Sequence, residues 1–527
     1  MIKGFYIRNF IQIFPSMIRT LLFVIFSVLF ISNVFSQNIT YSEVERADSR
    51  NMNFEILGNF SGNFLVYKNL NKRQSLTIYD NNMAIKENIK LDFISDRTNN
   101  IDFITYPDRF LMVWQFEKGN NIYSKAAVIS GAGKLIGSVM DLDSTRQNFL
   151  ASKVFYTFTW SEDKSKLLLY KTYTRNNEYT QVTKVYNDKF LLLDSSKRIL
   201  TYNDNREDFG NLLIDNEGTI LFEKIKQNAR EEYINTLDIN FKKLNNPQLI
   251  TVNIPLDKQL IQSPLLKVDN LNKNYLINTF SYQKNRGNVD GLLSAIISRD
   301  SFNITKQTIN IFGDSLRTKL SGKSDPRSVY NNLNIRNVIL KKDGGFIILT
   351  EEYTRQRRFG SGFNDRFNGG FNNGFGNNGF YNSYSDYYLY NRGYFGYYRP
   401  FNDGNGRDII YNYNDVINFS FTKDLQLQWN NVINKTTSDI ENDNFLSFTN
   451  MNAGGEIHFL FLQKDKNRQI LSNYAIQPDG SIIRYPTLKG REAGYNFMAR
   501  LSRQTGPRQV IMPCIVRNNI AFAKIDF

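Results

Sequence analysis

Short runs of alternating apolar and polar residues, paired around polar turns, recur along almost the whole 527-residue chain. Such pairs are typical of β-hairpins, and recurrence at a fixed period indicates a repeat architecture. The turn centres are spaced mostly 48–65 residues apart, and they fall near Asn81, Gly131, Ser196, Leu244, Asp300, Lys423, Asp479 and Asn518. We therefore predict a fold built from repeated antiparallel hairpins.

Further strand-like runs lie upstream of each hairpin, for example "NFLVYKN", "RFLMVWQF" and "EIHFLFLQ". Four antiparallel strands every ~50–60 residues are typical of β-propeller blades. At the level of fold the chain resembles secreted β-propeller repeat proteins, although it lacks the signature dipeptides of a named repeat family. The resemblance implies an all-β propeller over residues 37–527, with about eight four-stranded blades, or alternatively seven. Two stacked β-sandwiches remain the competing architecture.

The two ends of the predicted propeller complement each other. Only three strand-like runs lie between Tyr495 and Phe527, whereas "NITYSEVE", which begins at Asn38, is a spare strand ahead of the first complete blade. We expect the N- and C-terminal strands to complete one blade together and close the ring. Closure would also remove the open sheet edges.

The N-terminus has the layout of a secretory signal, which we assign to residues 1–36. A positive charge at Arg19 precedes an apolar run from Leu21 to Ile31, and Met17 is a candidate for the true start. An uncleaved membrane anchor is the alternative. No later segment is apolar enough to span a bilayer, so we expect an exported protein that is periplasmic, extracellular or associated with the cell surface.

Charge and cysteine content narrow the class of protein further. The net charge is +15, and the residues after position 36 carry +12 of it. Such a balance favours anionic partners, although a low-GC genome would also enrich lysine. The single cysteine, Cys514, cannot form an internal disulfide, and we expect it to be a buried, inert thiol.

Residues 359–406 interrupt the sixth predicted blade with a segment rich in Gly, Asn, Phe and Tyr. If the strands of a blade are labelled A to D from the axis outward, this segment is an expanded B–C loop. Aromatic faces in such a loop can stack on sugar rings, on other loops or on a membrane interface. We take Phe363, Phe371, Tyr387 and Tyr397 as candidate binding residues. Low-complexity drift in a tolerant loop is the competing interpretation.

The other predicted B–C loops are rich in Asn and Gln and nearly all contain Lys or Arg. In a propeller they gather on one face, where loops commonly carry function, and their cations would give it a positive potential. The candidate binding residues are Lys72, Arg73, Lys118, Arg175, Arg230, Lys284, Arg286, Arg357, Lys466, Arg468, Arg503 and Arg508. Surface turns of any Lys- and Asn-rich protein would also have this composition.

Catalytic motifs are scarce. Because His458 is the only histidine, a serine or cysteine hydrolase triad and a histidine-based zinc site are improbable. We predict no metal, no cofactor and no nucleic-acid partner. The preferred hypothesis is a non-catalytic binding or scaffold propeller that recognises an anionic polysaccharide or a cell-surface protein. The alternative is a polysaccharide-degrading propeller enzyme, a hydrolase or a lyase, with a site in the central channel.

Overall fold

The computed structural model describes residues 38–48, 52–147, 154–175, 178–202, 204, 206–227, 233–282, 289–321, 333–357, 409–440, 443–465, 468–488 and 494–527. Within these ranges the chain forms β-strands, one α-helix, α1 (Asp314–Ser321), and a 3-10 turn at Ala499–Leu501. The predicted signal segment, residues 1–36, lies outside the described residues. The all-β prediction is confirmed.

Nearly all strands pair with their neighbours in the chain as antiparallel ladders, in groups that we call units and number along the chain. Two short strands precede the first unit: β1 (Asn38–Tyr41) and β2 (Glu45–Asp48). Unit 1 contains β3 (Met52–Phe60), β4 (Asn63–Leu70), β5 (Arg73–Tyr79) and β6 (Ile85–Lys90). Unit 2 contains β7 (Thr98–Thr105), β8 (Arg109–Lys118), β9 (Asn121–Ser130) and β10 (Leu135–Arg146). Unit 3 contains β11 (Tyr156–Trp160), β12 (Leu167–Arg175), β13 (Glu178–Tyr186) and β14 (Leu192–Thr201).

Units 4 and 6 each have one interrupted strand position. Unit 4 contains β15 (Glu207–Phe209), β16 (Leu213–Ile214), β17 (Ile220–Gln227), β18 (Ile234–Lys242) and β19 (Leu249–Ile254). Unit 5 contains β20 (Leu260–Asp269), β21 (Asn274–Tyr282), β22 (Gly291–Ser298) and β23 (Ile304–Ile311). Unit 6 contains β24 (Leu333–Leu340), β25 (Phe346–Arg357), β26 (Ile409–Phe421), β27 (Leu427–Ile433) and β28 (Thr437–Ile440).

The last two units complete the order of elements. Unit 7 contains β29 (Phe448–Ala453), β30 (Glu456–Asp465), β31 (Arg468–Ile476) and β32 (Ile482–Leu488). Unit 8 contains β33 (Asn496–Phe497), β34 (Arg503–Gly506), β35 (Gln509–Val516) and β36 (Asn519–Asp526), to which β1 and β2 add from the N-terminus.

Burial along a unit shows which strands are sandwiched between sheets. In β8 every residue from Phe110 to Gln115 is buried, so both faces of this central strand are covered. The fourth strand is far more open: in β6 five of six residues are exposed. Runs of β-branched and aromatic residues suit the inner strands because both of their faces pack, whereas the fourth strand is the outer edge of its sheet.

The hydrophobic core is divided into clusters that each join two successive units. Clusters link units 1 and 2, 2 and 3, 3 and 4, 4 and 5, 5 and 6, 6 and 7, and 7 and 8. A further cluster packs Met498 and Phe522 of unit 8 against Phe54 and Val66 of unit 1. The units therefore form a closed ring, which two stacked sandwiches would not.

Contacts between units that are not neighbours show where the axis lies. The amide of Asn270 in unit 5 donates to Glu162 Oε2 in unit 3 at 2.8 Å. Arg503 Nη2 of unit 8 donates to Thr105 Oγ1 of unit 2 at 3.0 Å. All four residues lie in first strands or in the turns between first and second strands, so these parts converge at the centre. The chain is a β-propeller, with strand positions A to D running outward.

The number of blades stays a prediction. Hydrogen bonding gives seven sheets because units 4 and 5 are joined into one of nine strands. A single residue pair, Ile234 with Ile261, makes this junction. A core cluster lies between units 4 and 5, as one lies between every other pair of successive units.

The N-terminal strands close the ring as the sequence predicts. β1 pairs with β36 from Asn38 opposite Asp526 to Tyr41 opposite Ala523, so it is the outer strand of unit 8. Glu45 of β2 then reaches unit 1, where its carboxylate accepts hydrogen bonds from Tyr79 Oη at 2.6 Å and from Lys68 Nζ. Hydrogen bonds and a buried ion pair thus join the two ends of the propeller.

One predicted turn is wrong. Ser196 lies in the middle of β14, and the hairpin instead closes at residues 187–191, where Asn187 N donates to Leu191 O at 3.0 Å. The Asn187 side chain also accepts from Lys189 N and Leu191 N, so an Asn-capped turn forms before the serines. The polar run around Ser196 belongs to the solvent side of an outer strand.

Candidate functional site: the B–C face and the base of the sixth-unit insertion

The turns between strands B and C lie at one end of the ring because the strands are antiparallel. We call this end the B–C face, and the opposite end, which carries the A–B and C–D turns, the C–D face. In unit 1 the B–C turn is tight, with Asn71 and Lys72 both at positive φ (50° and 68°), as a two-residue hairpin turn requires. The turn projects Lys72 and Arg73 into solvent, where both are exposed.

Units 2 and 3 place cations at the same position. Lys118 ends β8 and Arg175 ends β12, and both side chains are exposed. Within the described residues, no ion pair involves Lys72, Arg73, Lys118 or Arg175. Three successive units therefore carry exposed cations at one end of the ring, and their role in binding stays a prediction.

Several of the predicted site residues cannot be placed. Arg230, Lys284, Arg286 and Lys466 lie outside the described residues, as do Phe363, Phe371, Tyr387 and Tyr397. Arg357 is the last residue of β25 and Arg468 the first of β31, so their backbones lie at the B–C end of their units. Binding by any of these residues stays a prediction.

The predicted positions of Arg503 and Arg508 on the B–C face are wrong. β34 pairs with β35 as an A–B hairpin, so both residues belong to the C–D face. Arg503 is buried, and its Nη1 donates to Ile56 O at 2.7 Å. The physical reason is the closure of the ring: unit 8 takes its D strand from the N-terminus, so its loops are displaced by one strand relative to the other units.

The insertion predicted for the sixth blade, residues 359–406, stays a prediction, but the strands on either side of it are described. β25 and β26 pair along their whole length, up to Arg357 opposite Ile409, so residues 358–408 connect strands B and C of unit 6. The segment itself lies outside the described residues. Its base, however, is described, and it contains charged side chains buried inside the protein.

Glu351 of β25 is the centre of this buried network and is fully buried. Its Oε1 accepts from Lys435 Nζ at 2.6 Å, and its Oε2 accepts from Arg336 Nε at 3.0 Å and Ser447 Oγ at 2.6 Å. Burial lowers the pKa of Lys435, and the adjacent Glu351 carboxylate opposes this effect. The Glu351 carboxylate therefore joins strands β24 and β25 of unit 6 to the residues after β27 and to the residue directly before β29 of unit 7.

A second buried pair extends the network to unit 8. Arg500 forms two parallel hydrogen bonds with the Asp443 carboxylate, at 2.6 and 2.8 Å, a geometry that favours strong pairing. Tyr413 Oη also donates to Asp443 Oδ2 at 2.7 Å. Burial raises the pKa of Asp443, but the charge and hydrogen bonds of Arg500, with hydrogen bonds from Tyr413 and the backbone, outweigh this effect and hold the pKa below its ordinary value. The base of the insertion is therefore fixed rigidly to units 7 and 8.

Two neighbouring carboxyl groups in unit 4 were missed by sequence reasoning. Burial raises the pKa of Asp208 in β15 to about 6. Burial, with a smaller contribution from Asp208, raises the pKa of Glu223 in β17 to about 8. Nothing in their local sequence identifies them, because the burial arises only when the sheets pack against one another. Glu223 also packs against Gly210, where a Cβ would lie 2.2 Å from Glu223 Oε1.

The single histidine is a packed residue, as expected. His458 is 2% exposed, its Nδ1 lies 3.0 Å from Asn473 Oδ1, and its ring lies 5.3 Å from that of Tyr485. In the part of the chain that the structure describes, His, Cys, Asp and Glu form no group of three or more that could hold a metal ion. The same residues include no helix with the length and apolarity needed to cross a bilayer.

Comparisons with known proteins give similarity in fold alone. No family model matches the chain, and no curated protein is similar to it in sequence. The WD40 domain of SCAP from fission yeast is 7% identical with a TM-score of 0.40, over 93% of this chain and 98% of that one. An oligogalacturonate lyase in complex with manganese is 8% identical with a TM-score of 0.36, over 93% and 97%. Prolyl oligopeptidase B from Galerina marginata is 9% identical with a TM-score of 0.39, and the chain spans 56% of its length.

Proposed function

We propose that this protein is an exported, non-catalytic binding propeller that recognises an anionic polysaccharide through its B–C face. The observation that carries the proposal is the repeated placement of exposed cations at equivalent turns: Lys72 and Arg73, Lys118, and Arg175. Positive charges on several units of one ring can attract several anionic groups of the same polymer at once. The anionic groups of a polysaccharide recur along its chain, so one molecule can contact several units.

The rigidity of the face also supports binding. Turns held by paired strands do not have to be ordered when the ligand arrives, which removes one cost of association. The base of the insertion is similarly fixed by Glu351 and Asp443. An aromatic contribution from residues 359–406 belongs to the same proposal and is tested by deleting them.

We expect the quadruple variant Lys72→Glu/Arg73→Glu/Lys118→Glu/Arg175→Glu to bind alginate and dextran sulfate at least about tenfold more weakly at low salt, since each reversal removes an attraction and adds a repulsion. The difference should shrink as salt rises, because exposed charges are screened. Titration calorimetry or biolayer interferometry measures both effects, with uncharged dextran as the negative ligand.

A matched control reverses four exposed lysines on the opposite face: Lys86, Lys134, Lys189 and Lys423. This variant has the same net charge as the first, so a general charge effect would weaken both equally. Equal affinities of the two variants, or unchanged affinity of the B–C variant for both polyanions, would contradict the proposal.

A polysaccharide-degrading enzyme, the alternative, receives no comparable support. Catalytic carboxyl groups with raised pKa values are typical of such enzymes, and Asp208 and Glu223 have raised values. Glu223, however, is only 4% exposed, so it is closed to a polymer.

A further inference from the structure

Within the described residues, exposed large aliphatic side chains recur at the end of the ring that carries the C–D turns. Of the twelve in the part of the chain that the structure describes, three lie at the B–C end of outer strands: Ile199, Ile311 and Ile440. The other nine lie on the C–D face: Ile85, Leu135, Ile136, Leu191, Leu192, Leu271, Leu427, Ile482 and Ile483. Single exposed aliphatic residues are ordinary, but here they recur at the same position of several units.

The repeat explains why these residues form a ring. In five units the first residue of the outer strand is exposed and aliphatic, and it faces a buried or partly buried residue across the C–D hairpin. The pairs are Ile85 with Tyr79, Leu135 with Ile129, Leu192 with Tyr186, Leu427 with Phe421, and Ile482 with Ile476. Equivalent positions lie at equal heights in a propeller, so these side chains ring one end of it at a common level.

Exposed cations adjoin most of these side chains. Lys86 follows Ile85, Lys134 precedes Leu135, Lys189 lies two residues before Leu191, Lys273 two after Leu271, and Arg484 follows Ile483. Of the acids in the same turns, one forms an ion pair and two accept backbone hydrogen bonds while keeping their negative charge. Asp80 accepts from Ala84 N, Asp188 pairs with Arg109 at 2.9 Å, and Asp479 accepts from Ser481 N.

Aliphatic side chains beside cations, spread at one level around a ring, match a flat anionic surface with an apolar layer beneath its charges. A lipid bilayer that contains anionic lipids has these properties: its headgroups attract Lys and Arg, and shallow aliphatic insertion adds apolar burial. A peptide groove would need the apolar residues to lie together, and here they are divided among separate units. We propose that the C–D face docks on an anionic membrane surface, which leaves the B–C face directed away from the bilayer.

The chain is well suited to a position-specific test. Burial raises the pKa of Cys514, the single thiol, well above its ordinary value, so a thiol-reactive dye labels only an introduced cysteine. Leu191→Cys places an environment-sensitive dye on the C–D face, and Ile311→Cys places it at the opposite end of an outer strand with similar exposure, 62% and 55%. Both full-length labelled proteins are mixed with phosphatidylcholine vesicles, with or without phosphatidylglycerol.

We expect a blue shift in emission only for the dye at position 191 and only with phosphatidylglycerol. Adding Lys134→Glu, Lys189→Glu and Arg484→Glu should lower the apparent vesicle affinity at least about tenfold, because each headgroup attraction is lost. No shift at position 191, or equal shifts at both positions, would overturn the proposal. A shift without vesicles that grows with protein concentration would overturn it in favour of a contact between two copies of this chain.

The membrane proposal and the polysaccharide proposal fail independently. The variant with four lysines reversed on the C–D face should bind vesicles more weakly and bind alginate as the wild type does. The quadruple B–C variant should bind alginate more weakly and bind vesicles as the wild type does. If a variant leaves unchanged the binding that it is expected to weaken, the proposal for that face is wrong and the other proposal is unaffected.

Discussion

Glu351→Gln is expected to lower the free energy of unfolding by about 3–5 kcal/mol, the usual cost of removing one partner from a buried ion pair. The variant keeps the shape of the side chain but leaves the fully buried Lys435 ammonium and the Arg336 guanidinium without their shared carboxylate. Burial already lowers the pKa of Lys435, so loss of the only described carboxylate paired with it should favour the neutral amine. Urea unfolding, followed by far-UV circular dichroism, measures the effect.

An exposed ion pair between units 5 and 6 provides the control. Lys306 and Asp424 are 41% and 58% exposed, so Asp424→Asn should lower the free energy of unfolding far less than Glu351→Gln does, because solvent screens an exposed pair. Adding Lys435→Met to Glu351→Gln should restore part of the lost stability, since the unpaired charge is then gone. A loss below about 1 kcal/mol for Glu351→Gln would show that this network does not fix the base of the insertion.

Repeats and turns made the fold predictable from the sequence. Each hairpin combines a strand pattern with a local turn signal, such as Asp80, whose side chain accepts from the backbone of Asn82 and Ala84. Ring closure was predictable because a missing strand at one end matched a spare strand at the other, and β1 does pair with β36. These inferences need only neighbouring residues, or the simple requirement that sheet edges be covered.

Interactions between units could not be read from the sequence. Glu351 meets Lys435 and Ser447 across 84 and 96 residues, and no local pattern links them. Arg503 was predicted in an exposed loop, because the borrowed D strand of unit 8 changes which turn it occupies. The B–C placement of Lys72, Lys118 and Arg175 could be inferred because the hairpin pattern of the sequence shows where strand B ends, whereas their role in binding stays a prediction.

Glu223→Gln is expected to stabilise the protein increasingly as pH rises. Burial raises the pKa of Glu223 from 4.5 to about 8, so the folded chain holds a proton that the unfolded chain releases. Wild-type stability from this group is fully present below pH 4.5 and is lost between pH 4.5 and about 8. At about 1.4 kcal/mol for each pH unit, the total loss is about 5 kcal/mol. Glutamine has no titratable proton, so the variant does not undergo this loss of stability.

Urea unfolding at pH 4, 6, 8 and 9 follows the difference between variant and wild type. The difference should grow from pH 4.5 to about 8 and then level off, because above the folded pKa both states are ionised. Asp208→Asn is the matched comparison: the pKa of Asp208 is raised only to about 6, so the gain for this variant should end near pH 6. A constant difference across the whole range would mean that Glu223 is ionised inside the fold. Its carboxylate would then need a cation or water that reaches this buried position, and that opening would support a catalytic role for the pair.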